Sequence, residues 1–425
     1  MYMGGATQPI TEVPVRITSL LRKLIGLKDT SVTDVRLDEG GLIAIVRPTW
    51  HRPRCSGCRR KVTATYDRNR GRQWRHLDLA GIKLYLEYDI RRANCPRCGI
   101  RVEVVPWAET SALFTRPFED QVGYLAQRCD QTTVSRLMRI GWRTVGEIVQ
   151  RVVARHAPTD PLDGLRRIGV DELSYRKHHE YVTVVVDHDT GAIVWAHKGK
   201  NAKTLRAFFD QLGPERCAEL ETVTIDMSAA YIKAITEAVP NAQIVFDRFH
   251  LQRLAHDALD QVRRAEVRQA DASEKRILKG TRYALQKNPW NLSQKQSDKL
   301  ADLQRTNKRL YRAYLLKEAL ADILDRKQPN VARRKLNEWL GWASRSRLAP
   351  FVRVASTLRK HIDGVIGYVR SRHSNGRVEG LNGKIRTLTR RAFGFHSAHS
   401  LIALIFLCCS GLQLDPVFLR PGATH

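Results

Sequence analysis

The chain has 425 residues, 72 Lys and Arg against 43 Asp and Glu, a net charge of +29 and a pI near 10.2. Apolar residues make up 43% and recur in periodic blocks, which excludes a disordered basic tail protein. The most hydrophobic stretch, Leu401 to Cys409, is about half of the ~20 residues a helical membrane span needs, so no span is expected.

At roughly 150 residues per domain, the length predicts two to four domains. The N-terminus lacks a basic region followed by an apolar one, so the expectation is a cytoplasmic protein. The charge excess predicts a polyanionic partner, because each phosphate neutralised by Lys or Arg releases condensed counterions. Charge alone does not say which polyanion: ribosomal proteins, binders of anionic membranes and nucleases share it.

The first motif is a double pair of cysteines, Cys55-Ser-Gly-Cys58 and Cys95-Pro-Arg-Cys98, separated by the 36 residues from Arg59 to Asn94. Each pair aims two sulfurs at one point, and together they complete the tetrahedral thiolate shell of structural Zn²⁺. Four thiolates leave no open position for substrate. Disulfides and unrelated thiols are the competing readings, the first disfavoured in a reducing compartment. Gly57 and Gly99 suit the knuckle turns, and Leu42 to Val46 and Leu84 to Ile90 alternate as strands do. Arg52, Arg54, Arg59, Arg60, Lys61, Arg91, Arg92, Arg97 and Arg101 crowd the knuckles, as on a zinc ribbon lying along a phosphate backbone. Cys129, Cys217, Cys408 and Cys409 lack ligand spacing and read as buried apolar residues.

Three short helices follow. Pro117 opens one with Val122, Leu125 and Ala126 inward; the second carries Val134, Leu137 and Met138; Gly141 turns the chain. The third begins at Thr144-Val-Gly-Glu147, a capping box, and buries Val145, Ile148, Val149 and Val152. This is the layout of a helix-turn-helix, with Arg136, Arg139, Arg143, Gln150 and Arg151 as candidates for DNA contact, although three amphipathic helices can also be plain core.

From Leu165 the pattern becomes strand-rich: Ile168 to Asp171, Tyr181 to Val186, Ala192 to Ala196 after a turn at Asp189-Thr-Gly191, then helix Ala202 to Leu212, strand Val223 to Asp226, helix Ala229 to Ala238 and strand Ile244 to Asp247. Strands apolar on both faces imply a mixed sheet between helices. Asp171, Asp226 and Asp247 each close a strand, at the edge where α/β sheets bind ligands. Asp171 and Asp226, 55 residues apart, make a candidate carboxylate pair for a hard divalent cation.

The stretches Leu251 to Gln286, Ser293 to Arg326, Val331 to Arg345 and Phe351 to Arg370 are helical and basic. Their aromatics, Trp290, Tyr311, Tyr314, Trp339 and Trp342, read as core before they read as base-stacking platforms. A last basic helix, capped by Ser374 or Asn375, turns Val378, Leu381, Ile385 and Leu388 inward and aligns Glu379, Asn382, Arg386 and Arg390 on the neighbouring face. One acid among cations could hold metal beside phosphate-binding groups, or could sit on a solvated face.

These motifs together resemble the DDE transposases of the bacterial ISL-three insertion-sequence family over nearly the whole chain. The resemblance rests on the cysteine knuckles and helix-turn-helix, Val170-Asp171-Glu172, Thr224-Ile-Asp226-Met-Ser-Ala-Ala-Tyr231, Phe246-Asp247-Arg-Phe-His250, and Asn375-Gly-Arg-Val-Glu379-Gly-Leu-Asn382. The last block continues to Arg390-Arg391-Ala-Phe393-Gly394-Phe395. It implies an α+β or α/β multidomain chain: a zinc ribbon in residues 1–108, a helix-turn-helix in 109–160, an RNase H-like catalytic core in 161–255 and 371–415, and a helical insertion in 256–370. It implies Asp171, Asp226 and Glu379 as catalytic ligands of two Mg²⁺ or Mn²⁺ ions, with Asp247 and His250 as accessory candidates; a packed histidine is the competing reading of His250. It also implies Zn²⁺ on Cys55, Cys58, Cys95 and Cys98, and DNA contact by Asn382, Arg386, Arg390 and Arg391. The expected partners are double-stranded inverted repeats and target DNA, bound by a nucleoid-associated homo-oligomer. A catalytically silent repressor descended from a transposase, or another RNase H-like nuclease, is the alternative.

Overall fold

A computed structural model describes residues 16–176, 180–372, 376–392, 394–395 and 397–416, without the side chain of Arg377. The capping candidates Ser374 and Asn375, and Phe393 of the last motif, lie outside the described residues. The chain divides into two compact units, residues 1–156 with 412–425, and residues 157–411.

The first unit opens with helix α1 (Ile17–Ile25) and strands β1 (Thr30–Asp38), β2 (Gly41–Pro48), β3 (Thr65–Leu79), β4 (Ile82–Cys95) and β5 (Gly99–Val102). The sheet order is β1-β2-β4-β3 with β5 on β4. The expected strands are β2 and β4; the long basic strand β3 had no alternating apolar signal, because only Trp74 and its neighbours enter the core. Trp74, Leu84, Leu86, Ile90 and Trp107 pack with Leu21 and Ile25 of α1.

His76 is buried in this unit, its Nδ1 2.7 Å from Thr115 Oγ1. Burial pulls its pKa down from 6.5 to about 4, against a backbone hydrogen bond and with help from the Arg75 charge. The folded unit therefore holds it neutral, and protonation favours the unfolded chain. Its contribution is complete above pH 6.5 and is lost as pH falls from 6.5 towards about 4. At full effect this amounts to about 3 kcal/mol. Unfolding of wild type and His76→Gln, measured between pH 7.5 and pH 4, should show the wild type losing more stability by roughly that amount. Parallel profiles would refute it.

Helices α2 (Arg116–Arg128), α3 (Gln131–Met138) and α4 (Trp142–His156) complete the unit. Thr115 and Asp130 cap the first two, accepting from the Phe118 and Thr133 N–H groups. Two readings are corrected here. Helix α4 starts at Trp142, so Thr144 lies inside its first turn and is no cap. Leu137 is 59% exposed: α3 has eight residues and is seated by Val134. The sequence also hid an ionic staple, in which buried Glu119 of α2 accepts from Arg151 (2.6 Å) and Arg155 (2.8 Å) of α4.

The second unit carries β6 (Arg167–Arg176), β7 (Glu180–Asp187), β8 (Ile193–Lys198), α5 (Ala202–Leu212), α6 (Pro214–Ala218), β9 (Thr222–Ile225), α7 (Ala229–Ala238) and β10 (Gln243–Phe246). The sheet order is β10-β9-β6-β7-β8, with β9 and β10 parallel to β6 and with β7 and β8 forming the antiparallel half. Apart from the short α6, this is the expected succession. Even positions of β6, Ile168 and Val170, pack with Leu205, Phe208 and Ile235 of the helices on one face. Odd positions, Leu173 and Tyr175, pack on the other face with Val378, Ile385 and Leu401 from the C-terminal part of the chain.

Helices α8 (Arg248–Gln269), α9 (Ala272–Leu278), α10 (Thr281–Gln286), α11 (Gln294–Thr306), α12 (Lys308–Asp325), α13 (Pro329–Arg345), α14 (Ala349–Lys360) and α15 (Ile362–Ser371) follow without a strand among the described residues. Their apolar core is continuous with that of the sheet. Helix α15 lies flush on β10: a Cβ at Gly364 would fall 2.2 Å from the Phe246 ring. Tyr314 and Trp339 are core, as read, and Tyr311 is half-buried, but Trp290 is 75% exposed and Trp342 lies at the surface. The chain returns to the sheet with α16 (Gly376–Arg391) and α17 (Ala398–Cys409). Val378, Ile385 and Leu388 are buried beneath α16, and Leu381 packs against them.

Candidate functional site

The four cysteines converge. Their sulfurs lie within 4.8 Å of one another, with Cys58 Sγ 3.6 Å from Cys95 Sγ. A tetrahedral ion at a Zn–S distance of about 2.3 Å separates its sulfurs by about 3.8 Å, so the cluster fits structural zinc. The β4–β5 turn presents Cys95 and Cys98 through Gly99 at φ +73°. In the other knuckle the left-handed position is taken by Arg59, while Gly57 allows close approach, its N–H 3.3 Å from Cys55 Sγ. The N–H groups of Arg97 and Cys98 hold the Cys95 thiol down to about 7, whereas burial and the neighbouring thiols push Cys98 up to about 12. Four sulfurs this close cannot all ionise without a cation.

Of the knuckle cations, Arg91 is not free. It donates to the fully buried Glu103 at 2.7 and 2.8 Å, joining β4 to the strand that follows the second knuckle. Arg92 pairs with Asp67. Arg52, Arg54, Arg59, Arg60, Lys61, Arg97 and Arg101 are exposed.

In the helical part, Arg136 and Arg143 are exposed and Gln150 is half-buried. Two expected DNA contacts are engaged in the fold. Arg139, the left-handed C-cap of α3, pairs with Asp78 and donates to Gly81 O at 2.8 Å; Arg151 belongs to the Glu119 staple. The sequence pattern exposed them by periodicity, but partners distant in sequence claim both guanidiniums.

The acids of the second unit share one level of the sheet. Arg167 lies opposite Thr222 and Gly169 opposite Thr224, so the same register sets Asp171 beside Asp226. Phe246 lies opposite Ile225, which sets Asp247 beside Asp226 from the other side. One expectation needs correction: Asp171 does not close its strand. Strand β6 continues to Arg176 because β7 still pairs with it, and Asp171 stands where β9 has ended and that edge opens.

Asp171 Oδ1 accepts the Glu172 N–H at 2.7 Å, and its Oδ2 accepts Asn382 Nδ2 from α16. Asn382, named above for DNA contact, is thus buried against an acid; its own Oδ1 is buried without a hydrogen bond. His250, in the first turn of α8, abuts Asp226 Oδ1, a buried oxygen that makes no aligned hydrogen bond. Burial pulls the His250 pKa down; the charges of Asp171 and Glu379 pull it up and Arg253 lowers it. Glu379 is exposed one turn before Asn382, in the same electrostatic field.

Among the described residues, only the cysteines bring three or more ligand atoms together, within 4.8 Å of one another; Asp171, Asp226 and Glu379 do not form such a group. The Asp226 oxygen beside His250 and the tethered Asp171 carboxylate are hard oxygen donors of the kind that suit hard cations. On the opposite face, Tyr231 lies 2.9 Å from Thr183 Oγ1 and hydrogen-bonds Glu172, steadying the strand behind Asp171. Arg386 and Arg390 are exposed; Arg391 is half-buried.

Family comparisons match this arrangement segment by segment. Residues 168–405 match a family model described as a transposase, that of the ISL3 DDE domain. Residues 103–153 match the helix-turn-helix domain of transposase family ISL3, and residues 51–98 the zinc-finger of transposase IS204/IS1001/IS1096/IS1165. The chain belongs to the ISL3 family of transposases. The transposase for insertion sequence element IS1557 of Mycobacterium tuberculosis is 41% identical to this one, over 93% of this chain and 96% of that one. The transposase for insertion sequence element IS1001 of Bordetella parapertussis is 29% identical, over 84% and 89% respectively. This transposase therefore carries a DNA-binding helix-turn-helix and a DDE catalytic domain, together with a four-cysteine zinc ribbon. No helix among the described residues is long and apolar enough to cross a membrane.

Sequence reading missed the link from Asn382 to Asp171. The signal was present: Asn382 stands three residues after Glu379, on the helical face that meets β6.

Proposed function

We propose that the transposase binds the terminal inverted repeats of its own element through the zinc ribbon and helix-turn-helix, and that an RNase H-like core cuts the DNA strands and joins their 3′ ends to a target. The observation that carries this reading is the common level of Asp171, Asp226 and Asp247, with α16 tied to it by Asn382. Parallel β9 and β10 beside an antiparallel three-strand half, with helices on both faces, support the fold assignment.

Asp171, Asp226 and Glu379 would hold two Mg²⁺ or Mn²⁺ ions, which supply activation of water or a 3′-hydroxyl and neutralise charge at the leaving oxygen. Asn382 would orient Asp171, and Asp247 and His250 would fix the Asp226 side. Arg386, Arg390 and Arg391 would grip backbone along α16. Arg136, Arg143 and Gln150 would meet DNA from the helix-turn-helix, and the basic helices of residues 256–370 would clamp backbone without reading sequence. The working form would be a homo-oligomer bridging two ends on the nucleoid. Residues 1–108, 109–160, 161–255 with 371–415, and 256–370 would be its functional parts.

The test is an assay of purified protein on end-containing duplex and target DNA with Mg²⁺. Cut ends whose 3′ termini appear joined to target support the reading. Cutting without joining replaces it with a nuclease, and binding without cutting with a silent DNA-binding protein.

A further inference from the structure

We infer that a cleft between β6 and α16 receives one unstacked nucleobase of the strand being cut or joined, an inference that rests on the transposition reading above. The cleft has a volume of about 270 Å³. Its floor is apolar: Leu173, Tyr175, Ile385 and Leu401 line it and are each 6% exposed or less. Its rim is cationic, formed by Arg386 and Arg390 with Thr389 between them. Both guanidiniums are exposed and, among the described residues, neither forms an ion pair or a side-chain hydrogen bond.

Position ties the cleft to the acids. Leu173 and Tyr175 follow Asp171 by two and four residues on the same face of β6, about 7 and 13 Å along it. Ile385 and Arg386 follow Glu379 by six and seven residues, about 9–10 Å along α16. At a rise of about 3.4 Å per base step, the two measures place the mouth about two to four steps from the reacting phosphate.

The chemistry of the walls selects the occupant. A small anion would need buried donors, and the floor has none to offer, because the Tyr175 hydroxyl is bonded to Glu180. Stacked duplex presents phosphates to a rim but leaves an apolar floor empty. An apolar side chain from a second copy would fill the floor but give the two arginines no counter-charge. An unstacked base satisfies both: its faces meet Leu173, Tyr175 and Ile385, while its flanking phosphates meet Arg386 and Arg390. Drawing one base out of the stack would anchor and bend the strand a few steps from the phosphodiester under attack.

The test uses the full chain and an end-containing duplex with a fluorescent adenine analogue placed singly on either side of the cut. With Ca²⁺ in place of Mg²⁺, one position within about four steps of the cut should brighten several-fold on binding. Thr389→Trp, which fills the cleft from its rim, should remove that signal and slow cutting by about tenfold or more. An end that lacks that one base should restore cutting by Thr389→Trp, a rescue that a misfolded variant would not show. The inference is overturned if an end that is bound and cut brightens at no position, or if Thr389→Trp leaves the signal unchanged. A protein that binds ends and cuts nothing overturns the transposition reading, and this inference with it.

Discussion

Asp226→Ala should lower metal-dependent cleavage of element ends by roughly a thousandfold, about 4 kcal/mol of transition-state stabilisation, and leave DNA binding within a few-fold. Asp226 is the middle acid, level with Asp171 on one side and Asp247 on the other. One of its oxygens meets His250 and the side chain is 42% exposed, so solvent and one neighbour stabilise that charge. Removing the carboxylate should therefore cost the fold little and would deprive the cations of a shared ligand. Asp171→Ala and Glu379→Ala should behave alike in cleavage, measured on labelled end duplex over a series of Mg²⁺ and Mn²⁺ concentrations.

Asn382→Ala provides the contrast, since it leaves all three acids in place. Loss of a group that orients a ligand typically weakens metal affinity by about 10–100-fold, so its defect should shrink as metal is raised whereas that of Asp226→Ala should not. Cleavage undiminished by all three acid substitutions would remove the triad.

The second large effect concerns zinc. Cys95→Ser, or chelation of the wild type under reducing conditions, should unfold the knuckle region and abolish end binding, because apparent zinc affinity in such sites amounts to about 10–16 kcal/mol of folding free energy. The cluster is well placed to transmit that loss. Cys95 ends β4, the strand that pairs with β2, β3 and β5, and Glu103 just beyond β5 is held to β4 by Arg91. Circular dichroism, metal content by mass spectrometry and gel shift would follow it together. One zinc per chain is expected, and full end binding by a metal-free Cys95→Ser protein would refute the role.

Much of the catalytic half was legible as local pattern. Helices α5 and α7 fall where apolar spacing placed them, and β9 and β10 are displaced by one residue. Buried strands and amphipathic helices write their burial directly into residue order, at periods of two and 3.6. Strand β3 escaped because most of it is exposed and charged, so its pairing with β4, and not its own composition, makes it a strand. Leu137 misled for the opposite reason: an apolar residue at helical spacing is turned outward when the helix is too short to cover it.

The cationic sites divide on the same principle. Residue type and spacing marked Arg139 and Arg151 as surface groups; Arg139 is exposed and Arg151 half-buried, and both are also bound to acids remote in sequence, Asp78 and Glu119. Such pairings depend on which elements meet, and a helical period carries no record of that.

The excess of +29 and the two cysteine pairs already specified a polyanion partner and a metal-tied module, since charge and ligand spacing are properties of the chain itself. Motif and position likewise singled out Asp171, Asp226 and Glu379 as candidates. Tertiary structure alone decided which residues lie beside them. The register offset between β6 and β9 equals the separation of Asp171 and Asp226, and the return of α16 across β6 delivers Asn382 to the same carboxylate. The reason is physical: register and helix docking are set by the packing of whole faces, so residues more than two hundred positions apart share a site only once the sheet and its helices have closed.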